Sequence, residues 1–216
     1  MKAVIDNWRW YAAMAMFALL ALGAALALRA DVKPATTSPP REQVQPAVVA
    51  EPPASANAAN VGAASDLSRL RARGLVIPLS AVSAAELSDT YAEARAGGAA
   101  HGALDIMAPR GTPVLAIDDG RIAKLFLSKP GGVTLYQYDA AGEYVYYYAH
   151  LDRYADGVAE GDRVRKGQLI GYVGSTGNAL PHAPHLHLAV LRLGPERQWW
   201  RGTPINPFLI WRGAKP

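Results

Sequence analysis

The sequence has 216 residues, 50% of them hydrophobic, which is enough for one domain with a buried core plus extra segments. The net charge is +4, but the Arg and Lys residues are scattered and form no basic tract with interleaved aromatics, so no nucleic-acid partner is expected. The chain has no cysteine. This excludes thiolate zinc sites and thiol catalysis, and leaves histidine and carboxylate as the strong metal ligands.

Residues 10–28 carry no charge and are flanked by Arg9 and Arg29. At about 1.5 Å per residue, this run nearly matches a hydrocarbon core of roughly 30 Å. We therefore predict a single-pass transmembrane helix (signal anchor) over 10–28, after a short cytoplasmic N-terminus of residues 1–9. The alternative is a signal peptide cleaved near Ala25 and Ala27, although the run is long for one. Both interpretations place the remaining chain in the periplasm or another extracytoplasmic space.

Residues 29–64 are rich in proline and alanine and lack hydrophobic periodicity, which is typical of a disordered linker. Residues 65–216 are predicted to form the folded domain. Its first elements are expected to be a short amphipathic helix over 65–73, a strand over 75–79 and a second short helix. The capping box Ser83–Glu86 begins that helix, which is expected to run toward Asp89. A loop is predicted over 91–100.

After Pro109 the pattern is almost entirely β, with short alternating runs separated by glycine-containing turns. The fold class is therefore predicted as mainly β, a compact antiparallel sheet with a few short helices. The aromatic residues of the tail, including Trp199 and Trp200, are expected to seal the core. Strands are predicted over 114–117, 122–127, 133–138, 143–149, 168–173 and the H-x-H run within 184–190.

The H-x-H run carries two imidazoles, His185 and His187. Residues two apart on a strand share a face, so both histidines project to one side while Leu186 and Leu188 point to an apolar layer. This arrangement suits a metal site. By itself it also fits two polar residues on a solvated face of the sheet.

Other candidate ligands lie far from this run in sequence. His101 and Asp105 are four residues apart, and a fully extended chain would separate them by roughly 13 Å, too far for ligands of one ion. The chain must bend between them, and Gly102 permits this. His150 follows an aromatic strand, where a lone histidine is more often a core or edge residue. The conjunction of these motifs in one cysteine-free chain predicts a metal site.

The chain resembles the LytM-like, lysostaphin-type zinc metallopeptidases of bacterial cell-wall peptidoglycan, metallopeptidase family 23. The resemblance covers about residues 75–208 and includes the H-x-x-x-D and H-x-H motifs. It implies a LytM-like domain of the duplicated-hybrid-motif type. Further matching stretches are Leu104-Asp105-Ile106-Met107-Ala108-Pro109, Gly111-Thr112-Pro113-Val114, Asp119-Gly120, Tyr148-Ala149-His150-Leu151, Val164-Arg165-Lys166-Gly167-Gln168-Leu169-Ile170-Gly171 and Gly174-Ser175-Thr176-Gly177.

The resemblance also implies roles for individual residues. His101, Asp105 and His187 would bind one Zn²⁺, and three protein ligands leave a coordination position open for water, as hydrolysis requires. His150 and His185 would be catalytic, with His185 assigned as the base and His150 as the stabiliser of the developing oxyanion.

The resemblance therefore predicts a zinc-dependent endopeptidase that hydrolyses peptide cross-links of peptidoglycan and is held at the cytoplasmic membrane by its N-terminal helix. The alternative is a non-catalytic regulator that binds the cell wall or activates a separate amidase. A purely structural zinc site is less favoured because it would use four protein ligands. Substrate specificity is expected to lie in the loops over 91–100 and 178–184.

Overall fold

The structure is a computed structural model that describes residues 56–95, 98 and 100–212. The predicted cytoplasmic segment 1–9 and membrane helix 10–28 lie outside these residues, as does the predicted linker up to residue 55. Within the part that is described, none of the helices has both the length and the apolar character needed to cross a membrane. The membrane anchor therefore stays a prediction.

Helix α1 comprises Ala56–Ala72. It begins well before residue 65, so the helix is longer than the predicted 65–73, whereas the linker and domain boundary at residue 64 stays a prediction. The alanine-rich composition of residues 56–64 accounts for the extension, because alanine has the highest helix propensity. Leu70 is fully buried, and Gly74, with φ of +61°, follows the helix in the left-handed conformation that often ends helices.

The predicted strand over 75–79 is not formed. This segment has no regular secondary structure and makes isolated backbone hydrogen bonds, from Val76 N to Ile117 O and from Leu115 N to Pro78 O. Pro78 has no N–H group to continue a ladder. The capping box at Ser83 is confirmed, but the helix that it begins is a single 3-10 turn over Ala84–Glu86 and stops short of Asp89.

The predicted mainly β architecture is confirmed. The strands are β1 (Leu104–Met107), β2 (Pro113–Leu115), β3 (Gly120–Ser128), β4 (Gly132–Asp139), β5 (Tyr144–Tyr154), β6 (Arg163–Val164), β7 (Leu169–Val173), β8 (His185–Leu193) and β9 (Gly202–Ile205). They form one antiparallel sheet in the order β1-β8-β5-β4-β3-β6, with β2 paired to β7, β7 also paired to β5, and β9 paired to β8.

Each strand predicted after Pro109 corresponds to an observed one. Strands β1, β6 and β9 were not predicted, since β1 and β6 are too short to show an alternating pattern and β9 contains Pro204 at the edge of the sheet. A short helix, α2 (Phe208–Trp211), ends the described chain.

Strands β5 and β8 are central and are covered by apolar layers on both faces. Tyr146 and Leu188 belong to the larger layer, whereas Val145 and Leu191 belong to the smaller one on the opposite face. Trp199 packs on the smaller layer, with its ring centroid 4.6 Å from that of Tyr136, as expected for a tail aromatic that seals the core. Double-sided burial explains the nearly continuous hydrophobic sequence of both strands.

An ion pair joins the end of α1 to the sheet. The Arg73 guanidinium lies 2.7 Å from Asp139 Oδ2 and 3.4 Å from Asp118 Oδ2, and the Asp139 side chain is fully buried. Although partial burial opposes it, the hydrogen bond to Asp139 raises the pKa of Arg73. Asp139 also accepts backbone hydrogen bonds from Glu143 and Tyr144 at the β4–β5 turn, so it connects that turn to α1.

We predict that Arg73→Leu lowers the free energy of unfolding by about 2–4 kcal/mol, because it leaves the buried Asp139 carboxylate without its cationic partner. Urea unfolding monitored by circular dichroism measures the change. Arg165→Leu, which removes a charge from an exposed turn, is the matched control and should change stability by less than about 0.5 kcal/mol. Equal effects of the two substitutions would contradict this account.

Candidate metal centre and catalytic cleft

Two of the predicted metal ligands face each other across neighbouring strands. In the β1–β8 ladder, Asp105 is the direct partner of His187. Directly opposed residues share a face of the sheet, and their side chains meet. Asp105 Oδ1 lies 2.9 Å from His187 Nδ1. On the other side of β8, His187 pairs with Ala149 of β5, whose small side chain leaves room above the sheet.

The third predicted ligand, His101, reaches the same point because the chain bends before β1. Gly102 has φ of +68°, a conformation that favours glycine, and the predicted bend is present. His101 Nε2 lies 2.9 Å from His187 Nδ1 and 3.1 Å from Asp105 Oδ1. His101 Nδ1 lies 2.9 Å from the Thr90 carbonyl oxygen and donates to it, so Nε2 carries the lone pair that faces the other two ligands.

These three side chains form a set that fits a metal ion. Their nearest ligand atoms all lie within 4.8 Å of one another. Although burial opposes it, the contacts of the carboxylate with the His101 and His187 rings hold the pKa of Asp105 well below its usual range. Burial also lowers the pKa of His187. An ionised carboxylate and neutral imidazoles are the protonation states that bind Zn²⁺.

The sequence pattern placed His150 directly after the end of a strand. In the structure, His150 instead lies at a β-bulge within β5. The β4–β5 register passes from Leu135↔Tyr148 to Val133↔Leu151, so Ala149 and His150 together oppose a single residue. His150 has φ of +58°, in the left-handed region. Simple alternation would place His150 on the face of Tyr148, in the main core, but the bulge turns it toward the metal ligands.

The two predicted catalytic histidines lie together beside the ligand set. Their ring centroids are 4.9 Å apart, and that of His150 is 5.6 Å from that of His187. His150 Nδ1 lies 2.8 Å from the Thr176 carbonyl oxygen, and His185 Nδ1 lies 2.9 Å from that of Ala183. Each Nδ1–H therefore donates to a backbone carbonyl, which leaves each Nε2 as a proton acceptor in the neutral ring.

Burial lowers the pKa of His150 to about 4, despite the opposing hydrogen bond to Thr176. His150 is buried, whereas His185 is partly exposed at the wall of the cleft. At neutral pH, His150 Nε2 is consequently an unprotonated acceptor.

The five predicted site residues all line one cleft of about 610 Å³. Both loops that were expected to determine specificity contribute to its wall, the first through Arg95 and the second through Asn178, Ala179, Leu180 and Ala183. Leu180 and Met107 expose apolar side chains at the cleft, at 59% and 61% of their full accessibility. The remaining lining residues are Pro130, Gly131, Tyr147 and Ala149.

Sequence reasoning missed three residues that support the site. Thr90 accepts the His101 ring proton at its carbonyl oxygen, and its hydroxyl accepts the backbone N–H of Asp105. Thr176 holds His150 with its carbonyl oxygen, while its hydroxyl bridges Leu151 O and Val133 N. Arg95 forms an ion pair with Asp105. Thr176 lies in the Gly174-Ser175-Thr176-Gly177 stretch that resembles the family, whereas no local sequence pattern indicated a role for Thr90 or Arg95.

The depressed pKa of His150 predicts a pH dependence of stability in metal-free protein. The unfolded chain takes up this proton near pH 6.5 and the folded chain only near pH 4, so unfolding is increasingly favoured as the pH falls through that window. The test substitution is His150→Asn, because asparagine tolerates positive φ and does not titrate in this range. When the pH is lowered from 7 to about 4.5, the free energy of unfolding should fall less in His150→Asn than in the parent protein. Urea unfolding in chelator at both pH values measures this difference, and identical losses would contradict it.

Comparisons with known proteins agree with this geometry. The model of "Peptidase family M23" matches residues 99–207. "Glycyl-glycine endopeptidase ALE-1" of Staphylococcus capitis is 41% identical over 93 residues, which cover 42% of this chain and 24% of that protein. "Peptidoglycan DD-endopeptidase ShyC" of Vibrio cholerae is 38% identical over 92 residues, which cover 43% of this chain and 20% of that protein.

Among solved structures, the catalytic domain of lysostaphin from Staphylococcus simulans is similar, with a TM-score of 0.50 and 31% identity. The match covers 58% of this chain and 91% of that domain, whereas the chain spans only about a quarter of the two curated relatives or less. The family match extends over just over half of the sequence and contains all five predicted site residues. The chain belongs to peptidase family M23.

Proposed function

We propose that this protein is a zinc-dependent metalloendopeptidase that hydrolyses peptide cross-links of bacterial peptidoglycan. The observation that carries the proposal is the convergence of three ligand atoms, from His101, Asp105 and His187, beside two histidines that line the same cleft and whose Nδ1 atoms are held by backbone carbonyls. Relatives named as endopeptidases, one of them of peptidoglycan, support the choice of reaction and substrate. The predicted N-terminal anchor would hold the domain outside the cytoplasm, where the cell wall lies.

The ligand set suits Zn²⁺ because it offers two imidazole nitrogens and one carboxylate oxygen and no fourth protein ligand among the described residues. Zn²⁺ bound by three such ligands would supply a Lewis acid that polarises a peptide carbonyl and activates water. The hydrogen bonds from His101 to Thr90 and from Asp105 N to Thr90 would keep the ligands oriented.

The different burial of His150 and His185 favours roles that differ from the expectation from sequence, with His150 as the base and His185 as the acid. His150 is buried and neutral, so its Nε2 would accept a proton from the attacking water. His185, the more exposed ring, would take up a proton from solvent at Nε2 and transfer it to the leaving amine nitrogen, and the proton accepted by His150 would return to solvent. The water oxygen then bonds to the carbonyl carbon, the C–N bond breaks, and an amine and a carboxylic acid leave the cleft.

The alternative, a regulator without catalytic activity, is not favoured by any feature of the cleft. A regulator would not need two histidines with oriented Nδ1 atoms and free Nε2 atoms beside a metal site. The arrangement is the one that acid–base catalysis requires.

We predict that the full chain, purified in mild detergent and loaded with one equivalent of Zn²⁺, releases soluble peptide-linked fragments from purified peptidoglycan. Removal of the metal by chelator should abolish release, and added Zn²⁺ should restore it. Chromatography of the released fragments measures the reaction. Binding to the cell wall without release of fragments would contradict the enzyme proposal and favour the regulator.

Substitutions should separate the ligands from the catalytic histidines. His187→Ala should abolish binding of stoichiometric Zn²⁺, measured by calorimetry and elemental analysis, because it removes the central ligand. His185→Ala and His150→Asn should each retain Zn²⁺ but lower kcat by about 10²- to 10⁴-fold, the usual contribution of a general acid or base. Retention of both metal and activity in His187→Ala would show that the ligand assignment is wrong.

A further inference from the structure

One cation lies on the wall of the cleft beside the proposed zinc ligands. Arg95, in the loop before β1, places Nη2 2.5 Å from Asp105 Oδ2, the carboxylate oxygen that faces away from His187. The Arg95 side chain is 46% exposed and lines the open cleft. This contact brings a fixed positive charge next to the reacting centre.

The charges of the cleft wall are unbalanced. Among the described residues that line the cleft, Arg95 is the sole lysine or arginine, and Asp105 is the sole acidic residue. The single carboxylate would be shared between a divalent metal ion and Arg95, so the loaded cleft would carry a net positive charge. Such a cleft favours a substrate with negative charge near the scissile bond over a neutral one.

The geometry of a guanidinium allows Arg95 to hold two carboxylates at once. Its planar group has five N–H donors, and the hydrogen bond to Asp105 is made by one nitrogen, Nη2. The remaining donors can form a charge-assisted pair with a second carboxylate on the cleft side. Asp105 would fix the plane of the guanidinium, so that little side-chain entropy is lost when the substrate binds.

We propose that Arg95 is a specificity residue that binds a free carboxylate on the substrate residue next to the scissile peptide bond. The inference rests on the proposed function and narrows its substrate class. It favours cross-linked stem peptides, in which the residue beside the cross-link carries a free carboxylate, over uncharged oligoglycine bridges. The two relatives compared above bear names that divide along this line, glycyl-glycine endopeptidase and DD-endopeptidase.

The competing role for Arg95 is to orient Asp105 without touching substrate. The two roles differ in what happens when the substrate carboxylate is removed. Loss of a residue that only orients Asp105 would affect the hydrolysis of all substrates equally, whereas loss of a carboxylate-binding residue would affect substrates with a free carboxylate more strongly than those without one.

The test uses the full chain, loaded with zinc, and three defined peptides. The first is a cross-linked stem-peptide dimer with a free carboxylate beside the scissile bond, the second is the same dimer with that carboxylate amidated, and the third is a doubly capped pentaglycine. The parent protein is compared with Arg95→Gln and with Arg165→Gln, a control that removes one positive charge outside the cleft lining.

We expect the parent protein and Arg165→Gln to prefer the free-carboxylate dimer over the amidated dimer by roughly 10- to 100-fold in kcat/KM, the range for a hydrogen bond to a charged group. Arg95→Gln should lose this preference, because its kcat/KM should fall further for the free-carboxylate dimer than for the amidated dimer. A second readout, independent of turnover, is calorimetric binding of the amine-side product peptide. Its affinity should depend on the free carboxylate in the parent protein and not in Arg95→Gln.

Three results would overturn the proposal. If Arg95→Gln lowers kcat/KM equally for both dimers, Arg95 only orients Asp105. If the parent protein hydrolyses pentaglycine in preference to the free-carboxylate dimer, the substrate class is wrong although the proposed function stands. If none of the three peptides nor intact peptidoglycan is hydrolysed, the proposed function fails, and the inference fails with it.

Discussion

The register of β1 against β8 is the constraint on which the site depends. It sets Asp105 opposite His187, and a slip of one residue would move Asp105 to the other face of the sheet. The polar pair does not fix this register by itself. Leu104, Ile106 and Leu186 alternate with the ligands and are buried in the larger apolar layer on the opposite face, so hydrophobic packing positions the metal ligands.

The bulge at His150 is the second constraint on the site, and it has a conformational cost. A non-glycine residue held at positive φ costs on the order of 1–3 kcal/mol and persists only where its surroundings determine it. Here the backbone N–H of His150 donates to Gly131 O, and its ring donates to Thr176 O. The two loops that supply these carbonyls pack closely at Gly132 and Gly177, where a Cβ atom on either would collide with the backbone of the other loop. The close packing of these two loops therefore fixes the direction in which the His150 imidazole points.

The sequence was sufficient for the parts of this structure that depend on local pattern. Alternation gave the strands after Pro109, and the H-x-H spacing placed two histidines on one face, with Leu186 and Leu188 in the opposite layer. Gly102 indicated the bend before Asp105. The orientation of His150 could not be predicted in this way. The alternation of side chains along β5 would point His150 into the core, and only the register shift between β4 and β5 turns it to the opposite face. The contacts of Arg95 and Thr90 join segments that are separate in sequence and follow from tertiary packing alone.

A zinc-edge anomalous diffraction map of crystals grown with Zn²⁺ tests the central claim most directly. The account predicts one strong peak bounded by His101 Nε2, Asp105 Oδ1 and His187 Nδ1, with His150 and His185 outside bonding distance and their Nδ1 atoms still paired with backbone carbonyls. A peak bonded to His150 or His185 as a fourth protein ligand, or one located away from Asp105, would contradict it.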